Sequence, residues 1–132
     1  MSRTRPTPCP CESGQSYEHC CAPFHTGQRI PATAEQLMRS RYSAFALGAR
    51  DWLLASWHAS TRPADLDLQE APAPKWIGLR IVRHEQLDTE HAIVEFIARY
   101  RVNGRAARLH ETSRFVREDG QWLYVDGELH ED

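Results

Sequence analysis

The chain has 132 residues, 41% of them apolar and 26% charged, with a net charge of −2. That allows one globular domain and a small appendage. No apolar run approaches the roughly 20 residues of a membrane helix, so membrane insertion is not expected, and the net charge gives no global pull toward nucleic acid or lipid. The charge is uneven, however. Arg99, Arg101, Arg105, Arg108, Arg114 and Arg117 face a single acid in that interval, Glu111, while Glu118–Asp132 is acidic.

The first eight residues are polar and punctuated by proline, as in a mobile terminus. All four cysteines follow within Cys9–Cys21. Adjacent Cys20 and Cys21 cannot easily bond to each other, but disulfides between the two pairs are not forbidden by spacing. The N-terminus carries no charged-then-apolar leader, so the expected location is the cytoplasm, where thiols stay reduced. Zinc suits four close thiolates because it accepts tetrahedral sulfur ligation without redox chemistry. Pro10 limits the backbone between the first two sulfurs, and Gly14 permits the positive φ of a reversal. Ser16–His19 can then form a short helical turn that delivers Cys20 and Cys21.

The whole stretch resembles the SEC-C motif, a zinc knuckle of pattern C-P-C-x-S-G-x-x-Y-x-x-C-C, with Glu12 where glycine is common. The resemblance implies Cys9, Cys11, Cys20 and Cys21 as zinc ligands, with His19 and His25 as possible substitutes. Four ligands close a site and leave no catalytic position. A structural or partner-docking role is therefore favoured over redox switching. A knuckle this short takes its folding energy from the metal, so a chelator is expected to disorder roughly residues 5–28 alone.

Pro23, Gly27 and Pro31 mark a connector, with Phe24 available to dock the knuckle. Thr33 and Gln36 form a capping-box pattern. Met38, Tyr42, Phe45 and Ala49 then recur at helical spacing, with Leu37 and Ala44 beside them. Gly48 weakens the end of that helix, and Asp51 is placed to cap a second over Trp52 to about His58. A loop over 61–74, with a helical turn at 64–68, leads to segments of alternating period. Strands are predicted over Trp76–His84, Ile93–Val102, Ala107–Arg117 and Trp122–Asp126. On the first, Ile77, Leu79 and Ile81 share a face. Asn103-Gly104 and Asp119-Gly120 are hairpin turns. This order predicts an α+β fold, a helix pair packed on an antiparallel four-stranded sheet.

Ser40–Phe45, Ser56-Trp57-His58, Glu111–Phe115 and Trp122–Gly127, in that order behind the knuckle, resemble the YchJ-like family of bacterial proteins. The resemblance covers nearly the whole chain. It implies a curved sheet wrapped around helices in a cone similar to nuclear transport factor 2 and the cystatins, with a pocket. Residues 1–28 would form the terminus and knuckle, and 29–132 the α+β domain. Some relatives carry a second SEC-C motif at the C-terminus, which this sequence does not.

On the third strand, Leu109, Glu111, Ser113 and Phe115 point one way, and a carboxylate and hydroxyl between apolar neighbours need partners. The candidates are Arg41, Tyr42 and His58, with Trp57, Trp76 and Trp122 as apolar walls. Glu111 with His58 is the acid/base pair to test, against the plainer reading of a buried Glu–Arg or Glu–Tyr pair. The arginines offer a phosphate-binding stripe, but Arg101 and Arg117 are odd-numbered while Arg108 and Arg114 are even, which argues against one face. Nucleic acid is not an expected partner. The first expectation is a non-enzymatic zinc-binding adaptor that docks a protein through its knuckle. The alternative is a small-molecule binding protein or enzyme using the pocket.

Overall fold

The computed structural model describes residues 7–66, 68 and 74–130. A 3-10 turn at Tyr17–His19 and a one-turn helix α1, Ala22–His25, belong to the cysteine region. Helices α2, Ala34–Leu47, and α3, Arg50–Ala55, precede four strands: β1 Lys75–Gln86, β2 His91–Val102, β3 Arg105–Glu118 and β4 Gln121–Leu129. The strands form one antiparallel sheet in sequence order.

Helix α2 starts where its cap dictates. Thr33 is extended and its hydroxyl accepts the Gln36 N–H at 3.1 Å. The Gln36 side chain returns to the Ala32 N–H at 2.7 Å, one residue further back than a standard capping box. Gly48 ends the helix in the left-handed region, φ +76°, where a side chain would be strained. Leu37, Met38, Tyr42 and Ala44 are buried as their spacing predicts, but so are Ser40, Arg41 and Ser43. Helices α1 and α3 and strands β1, β2 and β4 all pack on this helix, so it has little solvent face to spare.

Helix α3 differs from expectation at both ends. It begins at Arg50, its N-cap is Ala49 with no side-chain cap bond, and Asp51 lies within its first turn. It stops at Ala55 because the next residues are drawn to β4. The Tyr124 N–H donates to the Ser56 carbonyl at 2.9 Å, and the His58 N–H to the Tyr124 carbonyl at 2.7 Å. The expected turn over 64–68 includes position 67, outside the described residues. Asp65 and the Leu66 carbonyl instead hold Arg50, at 2.9 and 2.7 Å.

The hairpins at Asn103-Gly104 and Asp119-Gly120 have positive φ at both central residues, the geometry of two-residue turns that follow the strand twist. Ala92, Val94, Phe96 and Ala98 on β2 are buried, as are Ser113 and Phe115 on β3 and Trp122 on β4. Strand β1 departs from simple alternation. Register shifts between Trp76 and Gly78 and between Ile81 and Arg83 insert one residue each. Ile77 and Val82 are the extra residues and turn outward, 40% and 45% exposed. Trp76, Leu79 and Ile81 pack against the core instead, so the expected Ile77–Leu79–Ile81 face is broken by a bulge.

The register also corrects the numbering argument about the arginines. Arg99 pairs with Arg108 and Arg101 with Ala106, so odd positions on β2 share a face with even positions on β3. Arg99, Arg101, Arg108 and Arg114 therefore stand together on the side of the sheet away from α2.

Two substitutions test this fold in urea melts. Thr33→Ala is expected to cost about 1 kcal/mol through loss of the cap. Phe115→Ala should cost about 3–5 kcal/mol through the cavity it leaves.

Candidate functional site

The cysteine region folds around its own backbone. A bridge pairs Pro8 with Ser16, the Cys9 N–H reaches the Gln15 carbonyl at 3.0 Å, and the Tyr17 N–H reaches the Thr7 carbonyl at 2.8 Å. Glu12 and Gly14 both take positive φ, +60° and +88°, which explains why glycine suits position 12. The 3-10 turn then presents Cys20, and Cys21 caps α1.

The four sulfurs lie within 4.8 Å of one another. Cys11 and Cys20 are 3.6 Å apart at Sγ, and Cys20 and Cys21 3.8 Å. A disulfide needs about 2.05 Å, and all four cysteines are free. A tetrahedral zinc with Zn–S bonds of about 2.3 Å would set its sulfurs about 3.8 Å apart. The arrangement can hold a metal ion, and its soft, closed donor set suits a structural one.

The crowding has an electrostatic signature. Hydrogen bonds from Cys21 and Cys9 hold the Cys11 thiol below its usual range. Burial pushes Cys20 up to about 11, and Cys21 is raised by its hydrogen bond to Cys11. Binding a metal at such a cluster would take up the thiolates and release their protons.

Neither histidine joins the sulfurs. His25 Nδ1 is 2.7 Å from the Tyr17 hydroxyl and Nε2 is 2.7 Å from the Ser40 carbonyl, so both nitrogens are engaged. Burial lowers its pKa, in keeping with a neutral ring. His19 Nδ1 bonds to Ser16 Oγ at 2.9 Å.

The knuckle packs into the main core. Cys9, Cys11 and Cys21 share one buried cluster with Leu37, Met38, Val94 and Phe115. Ser43 Oγ on α2 lies 3.3 Å from the sulfurs of both Cys9 and Cys21. Arg39 Nη1 donates to the Cys11 carbonyl at 2.7 Å. The Leu79 N–H donates to Glu12 Oε2 at 2.6 Å, which sets that carboxylate beside Gly78. This buried seam argues against independent unfolding of the knuckle on chelation.

On the inner face a cavity of about 170 Å³ opens between α2 and the sheet. Of the expected pocket residues, Arg41, Tyr42, Trp57, Trp76, Glu111 and Ser113 line it. Arg41 is buried, with Nη1 donating to the Leu53 carbonyl at 2.9 Å and Ser56 Oγ at 2.7 Å. Its guanidinium lies over Trp57 and Tyr124, 4.8 and 4.4 Å from the ring centres. Burial pushes Arg41 down to about 10, opposed by the charges of Tyr124 and Glu111, so it stays protonated at neutral pH. Glu111 accepts a hydrogen bond from Ser113 Oγ. Among the described residues no ion pair joins it to Arg41.

Two expected residues are elsewhere. The His58 ring bridges Glu118 Oε2 and Ser60 Oγ, each at 2.7 Å, and does not line the cavity. The early end of α3 places it near the β3–β4 turn, so the Glu111–His58 acid/base pair does not form. Trp122 is buried in the core next to the cavity without lining it.

Tyr124 and Gly127 are the functional neighbours missed in the sequence. Tyr124 walls the cavity, and burial, reinforced by Glu111, pushes its hydroxyl up to about 12. A Cβ at Gly127 would overlap the Glu111 carboxylate. Inward alternation from Trp122 could have found Tyr124; nothing in the sequence marked Gly127.

Glu95, His110 and His130 also gather on the outer face. His110 Nε2 is 2.7 Å from Glu95 Oε2. The His110 and His130 rings stack at 4.1 Å and 14°, so their in-plane lone pairs run side by side rather than toward one ion.

Native mass spectrometry of chelator-free protein should show one zinc, lost on denaturation; a mass four protons light with no metal would mean two disulfides. Gly127→Ala is expected to displace the Glu111 carboxylate and cost about 1–3 kcal/mol in a denaturant melt.

The geometry is matched by known proteins. Residues 33–127 fit the family model described as the middle NTF2-like domain of YchJ, and residues 5–23 fit the SEC-C motif. A UPF0225 protein of Ralstonia nicotianae is 56% identical, covering 98% of this chain and 99% of its own. Another, from Cupriavidus metallidurans, is also 56% identical, with 97% and 93% covered. The solution structure of a SEC-C motif protein from Rhodopseudomonas palustris superposes with a TM-score of 0.82 at 32% identity, covering 93% of this chain and 98% of that one. A crystal structure of a SEC-C motif protein from Psychrobacter arcticus gives 0.76 at 30%, with 94% and 83% covered. With a SEC-C knuckle packed on a YchJ-type NTF2-like domain, the chain belongs to the UPF0225 (YchJ-like) family.

Proposed function

We propose that this is a small-molecule binding protein whose knuckle holds a structural zinc ion, working in the reducing cytoplasm. The observation that carries the reading is Glu111. It is a carboxylate in a largely apolar cavity, bonded to Ser113 and not ion-paired to Arg41. A carboxylate there accepts hydrogen bonds and donates none. The ligand class that fits is a compact, mainly aromatic molecule that offers an N–H donor to Glu111 and packs against Trp57, Trp76 and Phe96. Arg41 keeps the site near charge balance, so the ligand need not be a strong cation.

The lining gives more support to binding than to catalysis, since His58 is engaged by Glu118 and Ser60. The adaptor reading has weaker support, because three of the four cysteines are buried against the protein's own core.

Tryptophan fluorescence tests the proposal, because Trp57 and Trp76 both line the cavity. Indole- and aniline-type fragments should change the emission saturably. Glu111→Gln should weaken N–H-bearing fragments about tenfold or more, and Leu109→Trp should fill the space and abolish binding. Equal binding by Leu109→Trp, or none by the native protein across such fragments, would refute it.

A further inference from the structure

Arg41 offers the inner cavity more than a balancing charge. A guanidinium carries five N–H donors, and Nη1 commits its two to the Leu53 carbonyl at 2.9 Å and Ser56 Oγ at 2.7 Å. The other three donors sit on Nε and Nη2. Among the described residues none accepts a hydrogen bond from either atom.

Burial shows where that edge opens. Arg41 is only 4% exposed, yet no fully buried side-chain nitrogen or oxygen among the described residues lacks a partner. Nε and Nη2 therefore keep contact with space that a water-sized molecule can enter. The space that Arg41 borders is the cavity.

Glu111 borders the same space. It is close enough for its charge to bear on Arg41, but among the described residues the two form no ion pair, and Glu111 accepts from Ser113 instead. One largely apolar cavity therefore presents a cationic donor and an anionic acceptor that are not joined to each other. Their charges cancel, which limits the guest. A carboxylate or an ammonium would leave a net charge in apolar surroundings, and a zwitterion would have to shed the water of two ions. A neutral group with an acceptor and a donor side by side avoids both penalties, and each of its hydrogen bonds is charge-assisted. The edge of a cyclic amide is such a group, because its C=O and N–H point the same way.

Resting on the small-molecule reading of this cavity, we propose that its ligand is a compact aromatic lactam. Arg41 donates from Nε or Nη2 to the ring carbonyl, the ring N–H donates to Glu111, and the fused ring packs against Trp57, Trp76 and Phe96. Arg41 is then a residue that determines specificity, selecting guests that pair a carbonyl with the N–H.

The test uses the full, zinc-loaded native chain and varies the guest, because replacing Arg41 would also disturb the end of α3. Four probes of one ring shape are titrated by NMR: oxindole, with both N–H and C=O; indoline, with the N–H alone; 2-indanone, with the C=O alone; and the charged indoline-2-carboxylate. Oxindole should bind about tenfold or more tightly than either indoline or 2-indanone. It should also shift the side-chain N–H resonance of Arg41, which indoline should leave in place. Equal affinity for oxindole and indoline would overturn the lactam assignment while leaving a cavity that binds N–H-bearing aromatics. Tightest binding of indoline-2-carboxylate would overturn it in favour of a charged guest. Binding of none of the four would remove both the lactam assignment and the small-molecule reading beneath it.

Discussion

The Ser43 hydroxyl sits between the Cys9 and Cys21 sulfurs, 3.3 Å from each, and ties the knuckle to the middle of α2. Four thiols that approach a tetrahedron cannot all be deprotonated without a cation between them. Their placement against a buried helix makes the metal-binding chemistry a matter for the whole core. The contacts around them act in the same direction. Arg39 holds the Cys11 carbonyl, His25 holds the Ser40 carbonyl, and Glu12 holds the bulged edge of β1. The last of these also covers part of an edge strand that would otherwise offer an open N–H to another chain.

The remaining faces of α2 build the cavity. Ser40 accepts the Trp52 indole N–H at 2.9 Å, and Arg41 satisfies the end of α3. An arginine this deeply buried would be costly if unpaired. Two hydrogen bonds and two aromatic faces offset the cost, at the price of fixing α3 and β4 in position. Removing Arg41 would therefore disturb the cavity wall as well as its charge. Glu111 is balanced more lightly, by Ser113 and by the space Gly127 leaves, and so retains capacity to accept a bond from a guest.

Much of this was legible in the sequence for identifiable reasons. The cysteine spacing and the turn residues Gly14, Asn103-Gly104 and Asp119-Gly120 encode local geometry, which neighbours do not override. Inward alternation on β3 placed Glu111 and Ser113 together because β3 pairs with β2 without a bulge. Alternation failed on β1, where the bulges exchange Ile77 for Trp76, and no residue type announces a bulge there. The end of α3 also escaped, because Trp57 and His58 have unexceptional helical spacing and are diverted by pairing with Tyr124. The arginine stripe was misjudged because residue parity carries no meaning across an antiparallel pair until the register is known.

The central claim is that the knuckle, whose four cysteines can hold a metal ion, and the α+β domain share one core. Hydrogen–deuterium exchange of the intact chain, before and after chelation, tests it most directly. If the seam is as tight as the contacts of Ser43, Arg39 and Glu12 imply, metal removal will expose amides of α2 around Ser40–Ala44 and of β1 around Leu79 along with those of the knuckle. Faster exchange confined to the knuckle, with α2 and β1 as protected as before, would contradict it.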